Sequence, residues 1–272
     1  MVNDATPSMI TLEHVWLTLG DRLILKDVSL DVQPGETRVI LGGSGSGKTT
    51  ILRLILGLYR ADRGSIRIEG QEISRLAERE LFQIRQEMAM VFQNAALFDS
   101  LTVRENVGYR LWEHGRLLSD EQIEQTVQES LNFVGLEDTL EKMPAELSGG
   151  MRKRVGIARA LASGAKVLLY DEPTAGLDPI NTCMVSRLIR KLKTKGVTQV
   201  VVTHDLETAY HVADHIVMII KGRVLFDGTP DEIKNSSDPA IREFLDPGSM
   251  PSEWRPQPKA DEGVVRQQAD LL

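Results

Sequence analysis

Residues 37–50 read Thr37-Arg38-Val39-Ile40-Leu41-Gly42-Gly43-Ser44-Gly45-Ser46-Gly47-Lys48-Thr49-Thr50. Five residues with a buried-strand pattern run into a glycine-rich loop. After the loop, Ile51, Leu52, Ile55 and Leu58 recur at helical spacing. The loop fits the pattern G-x-x-x-x-G-K-[ST]. Its glycines let consecutive backbone N–H groups point at phosphate oxygens. The helix starting near Lys48 adds the positive end of its dipole. Lys48 supplies a mobile cation for outer phosphates, and the Thr49 hydroxyl suits Mg²⁺. A flexible Gly-Ser linker would share the composition, but would have no strand before it and no helix after it. Gly42, Gly43, Ser44, Gly45, Ser46, Gly47, Lys48, Thr49 and Thr50 are therefore the candidate nucleotide-phosphate loop.

Outward from this loop the chain alternates. Residues 10–19 and 23–32 are β-branched and apolar, parted by Gly20-Asp21, which is turn chemistry. Residues 65–69 read as another strand and residues 75–145 as helical. In the latter stretch Ser119-x-x-Gln122 is a capping box, and Gly135 suits a helix C-terminus. Residues 167–170, 199–203 and 216–220 read as buried strands, with helices over 151–162, 179–195 and 206–213. Such alternation predicts a mostly parallel sheet covered by helices. Residues 247–272, with Pro247, Pro251, Pro256 and Pro258 and few apolar residues, read as a tail that is ordered only if something binds it. The strand at 167–170 ends in Asp171-Glu172. Beside a phosphate loop this pair has a joint reading: Asp171 holds Mg²⁺ through water and Glu172 polarises an attacking water.

Composition narrows the class. The chain has 272 residues, 42% apolar and 26% charged, as in an ordinary globular protein. Aromatics are 5%, too few for a carbohydrate-binding or base-stacking surface. The single cysteine, Cys183, excludes an intrachain disulfide framework and reads as a small packing residue. A net charge of −7 argues against nucleic acid as a partner. The longest apolar runs are about five residues, whereas a spanning helix needs roughly 20. A stand-alone channel or carrier is excluded; a peripheral subunit of one is not.

Between the loop and the acidic pair lies Leu147-Ser148-Gly149-Gly150-Met151. Together these three motifs resemble the ABC-type ATPases, over about residues 10–230. In that family's terms Gln93 resembles the glutamine of the Q-loop, Ala175-Gly176-Leu177-Asp178 the D-loop, and His204 the switch histidine. The resemblance implies an α/β fold: a P-loop NTPase (RecA-like) core, a small antiparallel β subdomain and an inserted helical subdomain. It implies an ATPase domain over residues 8–231, its helical part about 94–150, and a C-terminal extension, 232–272, partly disordered or partner-bound. ATP and Mg²⁺ are the implied ligands. Catalysis falls to Glu172, His204, Lys48 and Gln93, and Mg²⁺ to Thr49, Gln93 and Asp171. The resemblance further implies a head-to-tail dimer, in which ATP at Lys48 of one copy is completed by Ser148, Gly149 and Gly150 of the other, with Asp178 communicating between sites. Ser148, Gly149 and Gly150 open a helix, so they do offer a hydroxyl and backbone N–H groups at a second anion-binding end. One position departs: the aromatic that stacks on adenine is replaced by Leu19. Trp16 either takes that role or packs between strands.

Two stretches, residues 92–103 and 147–155, look like the ATPases of Mla/Mce-type lipid transporters, as does the tract 171–180. This closer resemblance implies an ATPase driving phospholipid or other lipid transport between membranes, on the cytoplasmic face of the inner membrane. Its expected partners are a second copy, transmembrane permease subunits, a small regulatory subunit and a substrate-binding Mce-type protein. Other readings are an ABC transporter for another substrate, and a soluble ABC machine acting on nucleic acid. The latter is opposed by the acidic charge and by the lack of a coiled coil. The apolar run at residues 95–98 is either a docking groove for a short helix of a membrane partner or local core filling. Arg152-Lys153-Arg154 is either a nucleic-acid patch or a set of cations that position the helix or pair with acids. His211 and His215, four apart on an expected helix, lack a third ligand for zinc.

Overall fold

The computed structural model describes residues 7–114 and 118–246. β1 (Ile10–Leu19) and β2 (Arg22–Val32) form an antiparallel hairpin turned at Gly20-Asp21, where Gly20 has φ 57. β3 (Thr37–Leu41) is buried along its whole length and leads through the glycine loop into α1 (Lys48–Ile55). β4 (Arg63–Ile68) pairs with β1, and the short β5 (Gln71–Glu72) pairs with β4. These make a four-stranded antiparallel sheet in the order β2-β1-β4-β5.

α2 (Glu78–Gln86) then leads into β6 (Met88–Val91). This strand corrects the reading of residues 75–145 as helical in character. Met88–Val91 pairs in parallel with a later strand, so the run is fixed by a long-range ladder that local periodicity does not report. α3 (Val103–His114), α4 (Asp120–Phe133) and α5 (Gly149–Ala162) pack on one another. The Ser119–Gln122 box forms, and Gly135 takes φ 66 just past α4.

β7 (Val167–Asp171), α6 (Pro179–Lys193), β8 (Thr198–Thr203), α7 (Leu206–Val212), β9 (His215–Ile220) and β10 (Arg223–Gly228) complete a six-stranded sheet in the order β10-β9-β3-β8-β7-β6. All its ladders are parallel except that of β9 with β10. β5 and β10, neither read from the sequence, are an edge pair of two residues and a half-exposed edge strand. α1 and the antiparallel sheet share one core with the larger sheet, built on Ile10, Leu25, Ile40, Ile51, Leu169 and Val202. This places the phosphate loop where β3 leaves the sheet.

Contacts divide the described residues after Ile233. That division falls at the last residue of α8 (Pro230–Lys234), and the second unit holds α9 (Pro239–Leu245), capped by Asp238, which accepts from the N–H groups of Ala240 and Ile241. The tail read at residues 247–272 lies outside the described residues. No helix among the described residues is long and apolar enough to cross a membrane.

Candidate functional site

The loop is shaped by close backbone approaches. A β-carbon on Gly42 would collide with the Ile219 carbonyl oxygen, and the Gly42 N–H donates to Thr203 O at 3.3 Å. Gly47 caps α1 at φ 105, a conformation natural to glycine. The Lys48 side chain is buried, and its Nζ donates to the carbonyls of Gly42 (2.8 Å) and Gly43 (3.0 Å). The first turn of α1 offers N–H groups with no acceptor inside the helix. The buried Ser46 hydroxyl has no partner. A buried polar orphan beside free N–H donors and a lysine fits an anionic ligand.

Asp171 and Glu172 meet this loop. Asp171 ends β7, and its Oδ1 accepts from Thr49 Oγ1 at 2.9 Å. Glu172 has φ 48, in the left-handed region. Its Oε1 lies 3.6 Å from Lys48 Nζ. Its Oε2 accepts from Thr203 Oγ1 at 3.2 Å and meets His204 Nδ1 at 2.9 Å. Parallel pairing of β3 with β8 and of β8 with β7 brings Leu41 beside Thr203 and Asp171 beside Val202. Lys48, Thr49, Asp171, Glu172 and His204 thus converge at the carboxyl ends of adjacent strands, where ligands of such sheets bind. Gln93 follows β6, whose partner is β7, and stands exposed at the same end. A hydroxyl and a carboxylate are hard oxygen donors that suit Mg²⁺ completed by substrate phosphates. No cluster of three or more His, Cys, Asp or Glu residues able to hold a metal occurs among the described residues.

A second cluster gathers the other expected residues. Ser148 caps α5, its Oγ accepting from the Met151 N–H at 3.2 Å. Asp178 caps α6, accepting from the N–H groups of Ile180 and Asn181, both at 3.0 Å, and from Asn181 Nδ2 at 2.5 Å. The Asn181 N–H holds the Asp178 carboxyl below its ordinary range. Gly150 lies against Asn181. An open cleft of about 510 Å³, lined by Glu172, His204, Gly176, Leu177 and Pro179, runs between the carboxylate and the start of α6.

Thr203 and Asn181 are site neighbours that the motif reading missed. Thr203 carries a faint signal, a hydroxyl residue ending a buried strand; Asn181 carries none. Trp16 is half-buried on β1, opposite Arg63, while the β2 residues that approach Gly47 are Ile24 and Leu25. His211 and His215 do not share a helix: His215 begins β9 and its Nδ1 meets Glu36 Oε1 at 2.9 Å, while His211 donates to Glu207 O. Cys183 is exposed, not packed. Arg152, Lys153 and Arg154 each donate to backbone carbonyls, those of Leu147, Glu172 and Val134. The helix-positioning reading of that run therefore holds.

The run at residues 95–98 splits. Ala95 is buried at φ 59, packed on Gly156, while Phe98 is 42% exposed, its ring tilted against that of Tyr109 with centroids 4.6 Å apart. Arg159 donates to Ala95 O (2.8 Å) and Ala96 O (2.9 Å). Beside them opens a groove of about 330 Å³ lined by Met90, Phe92, Ala96, Phe98, Tyr109 and Ala160.

The family model described as "ABC transporter" matches residues 25–175. Over 246 residues the chain is 37% identical to the intermembrane phospholipid transport system ATP-binding protein MlaF of Escherichia coli (strain K12), covering 90% of this chain and 91% of that protein. Over 269 residues it is 36% identical to the probable ribonucleotide transport ATP-binding protein mkl of Mycobacterium leprae, covering 98% of this chain and 77% of that one. Among solved structures, the dimeric post-hydrolysis state of the ATP-binding cassette MJ0796 bound to ADP and Pi superposes with a TM-score of 0.74. It is 34% identical and covers 82% of this chain and 99% of that one.

Proposed function

Because the chain belongs to the ABC transporter family of ATP-binding proteins, we propose that it is the ATP-hydrolysing subunit of a membrane transporter that moves phospholipids or related lipids between membranes. One observation carries the chemical part. The Glu172 carboxylate is held between Lys48 of the phosphate loop and His204, one residue after the carboxylate that meets Thr49. The names of the MlaF relatives support the lipid part.

In this reading the residues at 42–50 hold the phosphates of ATP, with Lys48 swinging from the Gly42 and Gly43 carbonyls to the outer phosphate. Thr49 and Asp171, with Gln93, hold Mg²⁺, which when bound neutralises phosphate charge. Glu172 takes up the proton of the attacking water, and His204 orients the outer phosphate. A second copy supplies Ser148, Gly149 and Gly150 to complete the site, and Asp178 links the two sites. The dimeric cassettes among the structural relatives support this arrangement.

The groove beside Phe98 receives a short helix of a transmembrane permease subunit. The protein is thereby peripheral, on the cytoplasmic face of the inner membrane. Residues 8–231 form the ATPase domain, with its helical part at about 94–150. The extension at 232–272 engages a small regulatory subunit or the second copy, and a Mce-type protein carries the lipid. The test is native purification from membranes. Co-purifying permease subunits with bound phospholipid are expected. A complex free of lipid but loaded with another solute would overturn the cargo while leaving the ATPase reading in place.

A further inference from the structure

Lys153 lies in the second turn of α5, and its side chain is almost wholly buried. Its Nζ donates to the backbone carbonyl of Glu172 at 3.1 Å. Burial pushes the ammonium's pKa down, against the attraction of Glu172 and Asp171. Taking a charged group out of water is costly unless its partners repay it, so a buried lysine here calls for a local reason.

The reason is next to it. Glu172 occupies left-handed backbone at φ 48, a conformation that is uncommon for a residue with a β-carbon and costly in a bulky one. Three hydrogen bonds hold its backbone. The Glu172 N–H donates to Val202 O at 3.0 Å, its carbonyl accepts from the Ala175 N–H at 3.2 Å, and the same carbonyl accepts from Lys153. Only the last bond comes from outside the sheet and its following turn. The conformation so fixed aims the carboxylate between Lys48 and His204.

We propose that Lys153 is a positioning residue for hydrolysis: it pins the left-handed backbone of Glu172 and so ties α5, whose first residues face the second copy's nucleotide, to the water-activating carboxylate of its own chain. The proposal rests on the reading of Glu172 as the base. Docking of Ser148, Gly149 and Gly150 onto the neighbouring ATP then adjusts Glu172 through one rigid helix.

The test uses the full chain purified with its membrane partners, and compares Lys153→Met, Lys153→Gln and Lys153→Arg with Glu172→Gln. The Met variant is expected to lower kcat at least tenfold while KM and ATP affinity stay within about twofold, because the phosphate loop is untouched. The Arg variant, which keeps a cationic donor, is expected to recover most of kcat. In the Glu172→Gln background, Lys153→Met is expected to cost nothing further, since residues acting as a unit are non-additive. An unchanged kcat in Lys153→Met overturns the proposal. So does a loss of kcat matched by a loss of ATP affinity, or an inability of all three Lys153 variants to fold. Near-normal turnover of Glu172→Gln would instead remove the base reading itself.

Discussion

No β-carbon fits at Gly150, because the side-chain amide of Asn181 stands where it would lie. Asn181 is held there by Asp178, the cap of α6. The start of α5 is thus braced against the start of α6, and Gly150→Ala must break the Asn181–Asp178 contact or push the two helices apart. We expect this variant to bind ATP with near-normal affinity. Its ATP-dependent dimerisation and turnover should fall at least tenfold, a loss of about 1.4 kcal/mol of docking energy. ATP titration and ATP-dependent gel filtration check it.

Glu172→Gln keeps the hydrogen bonds with Thr203 and His204 within reach but cannot take a proton. Turnover should fall by roughly 10²–10⁴, the usual worth of a general base. ATP affinity should hold, and the closed dimer should accumulate in gel filtration. Lys48→Ala should do the opposite and weaken nucleotide binding itself, because it removes the cation of the loop. Isothermal titration separates the two.

Phe98 and Leu97 differ in what they can tell. Leu97 is half-buried, whereas Phe98 lies tilted against Tyr109 at the groove's rim. Phe98→Asp should therefore release the chain from membranes while ATP binding persists. Membrane flotation is the measurement, and retained association would remove the groove as the docking site.

Trp16 tests the base end of the nucleotide. Its backbone carbonyl accepts from Asp62 N–H and its strand partner is Arg63, whereas Ile24 and Leu25 approach the loop. Trp16→Ala should leave ATP affinity within about twofold, since losing a stacked base costs about 1–3 kcal/mol and would weaken binding several-fold or more. A loss of that size would assign the adenine contact to Trp16.

Tyr170 is fully buried, and its hydroxyl donates to Gln199 Oε1 at 2.8 Å. Gln199 is also tied to Thr37 and Ile189. Tyr170→Phe should cost about 1–3 kcal/mol by leaving that oxygen unpaired in the core. A chemical-denaturation midpoint measures it, and ATP affinity should not follow.

Much of this was legible in the residues. The loop at 42–49, the acidic pair and the capped helix at Ser148 are contiguous motifs. Their chemistry depends on local backbone: glycines that permit a turn, a strand that ends in carboxylates, a hydroxyl that starts a helix. Strand and helix identities also followed wherever burial was uniform or periodic. Local pattern misleads where it and strand pairing disagree. Met88–Val91 is apolar enough for either element, and only its ladder with β7 makes it a strand. His215 is spaced as a helical neighbour of His211, but it begins β9 and meets Glu36.

Which groups the protein brings to phosphate chemistry follows from runs of neighbouring residues, because a phosphate loop and its acids are each contiguous. Which of those groups meet follows from how the strands pair. Thr49 and Asp171, 122 residues apart, touch because β3, β8 and β7 pair in parallel at one register. Glu172, one residue past that register, is held in left-handed backbone by its bond to Val202 O and by Lys153 from α5. Lys153 and Asn181 meet their partners the same way, through packed helices; the basic run at 152–154 marks Lys153 but not the Glu172 carbonyl it meets, and nothing local marks Asn181.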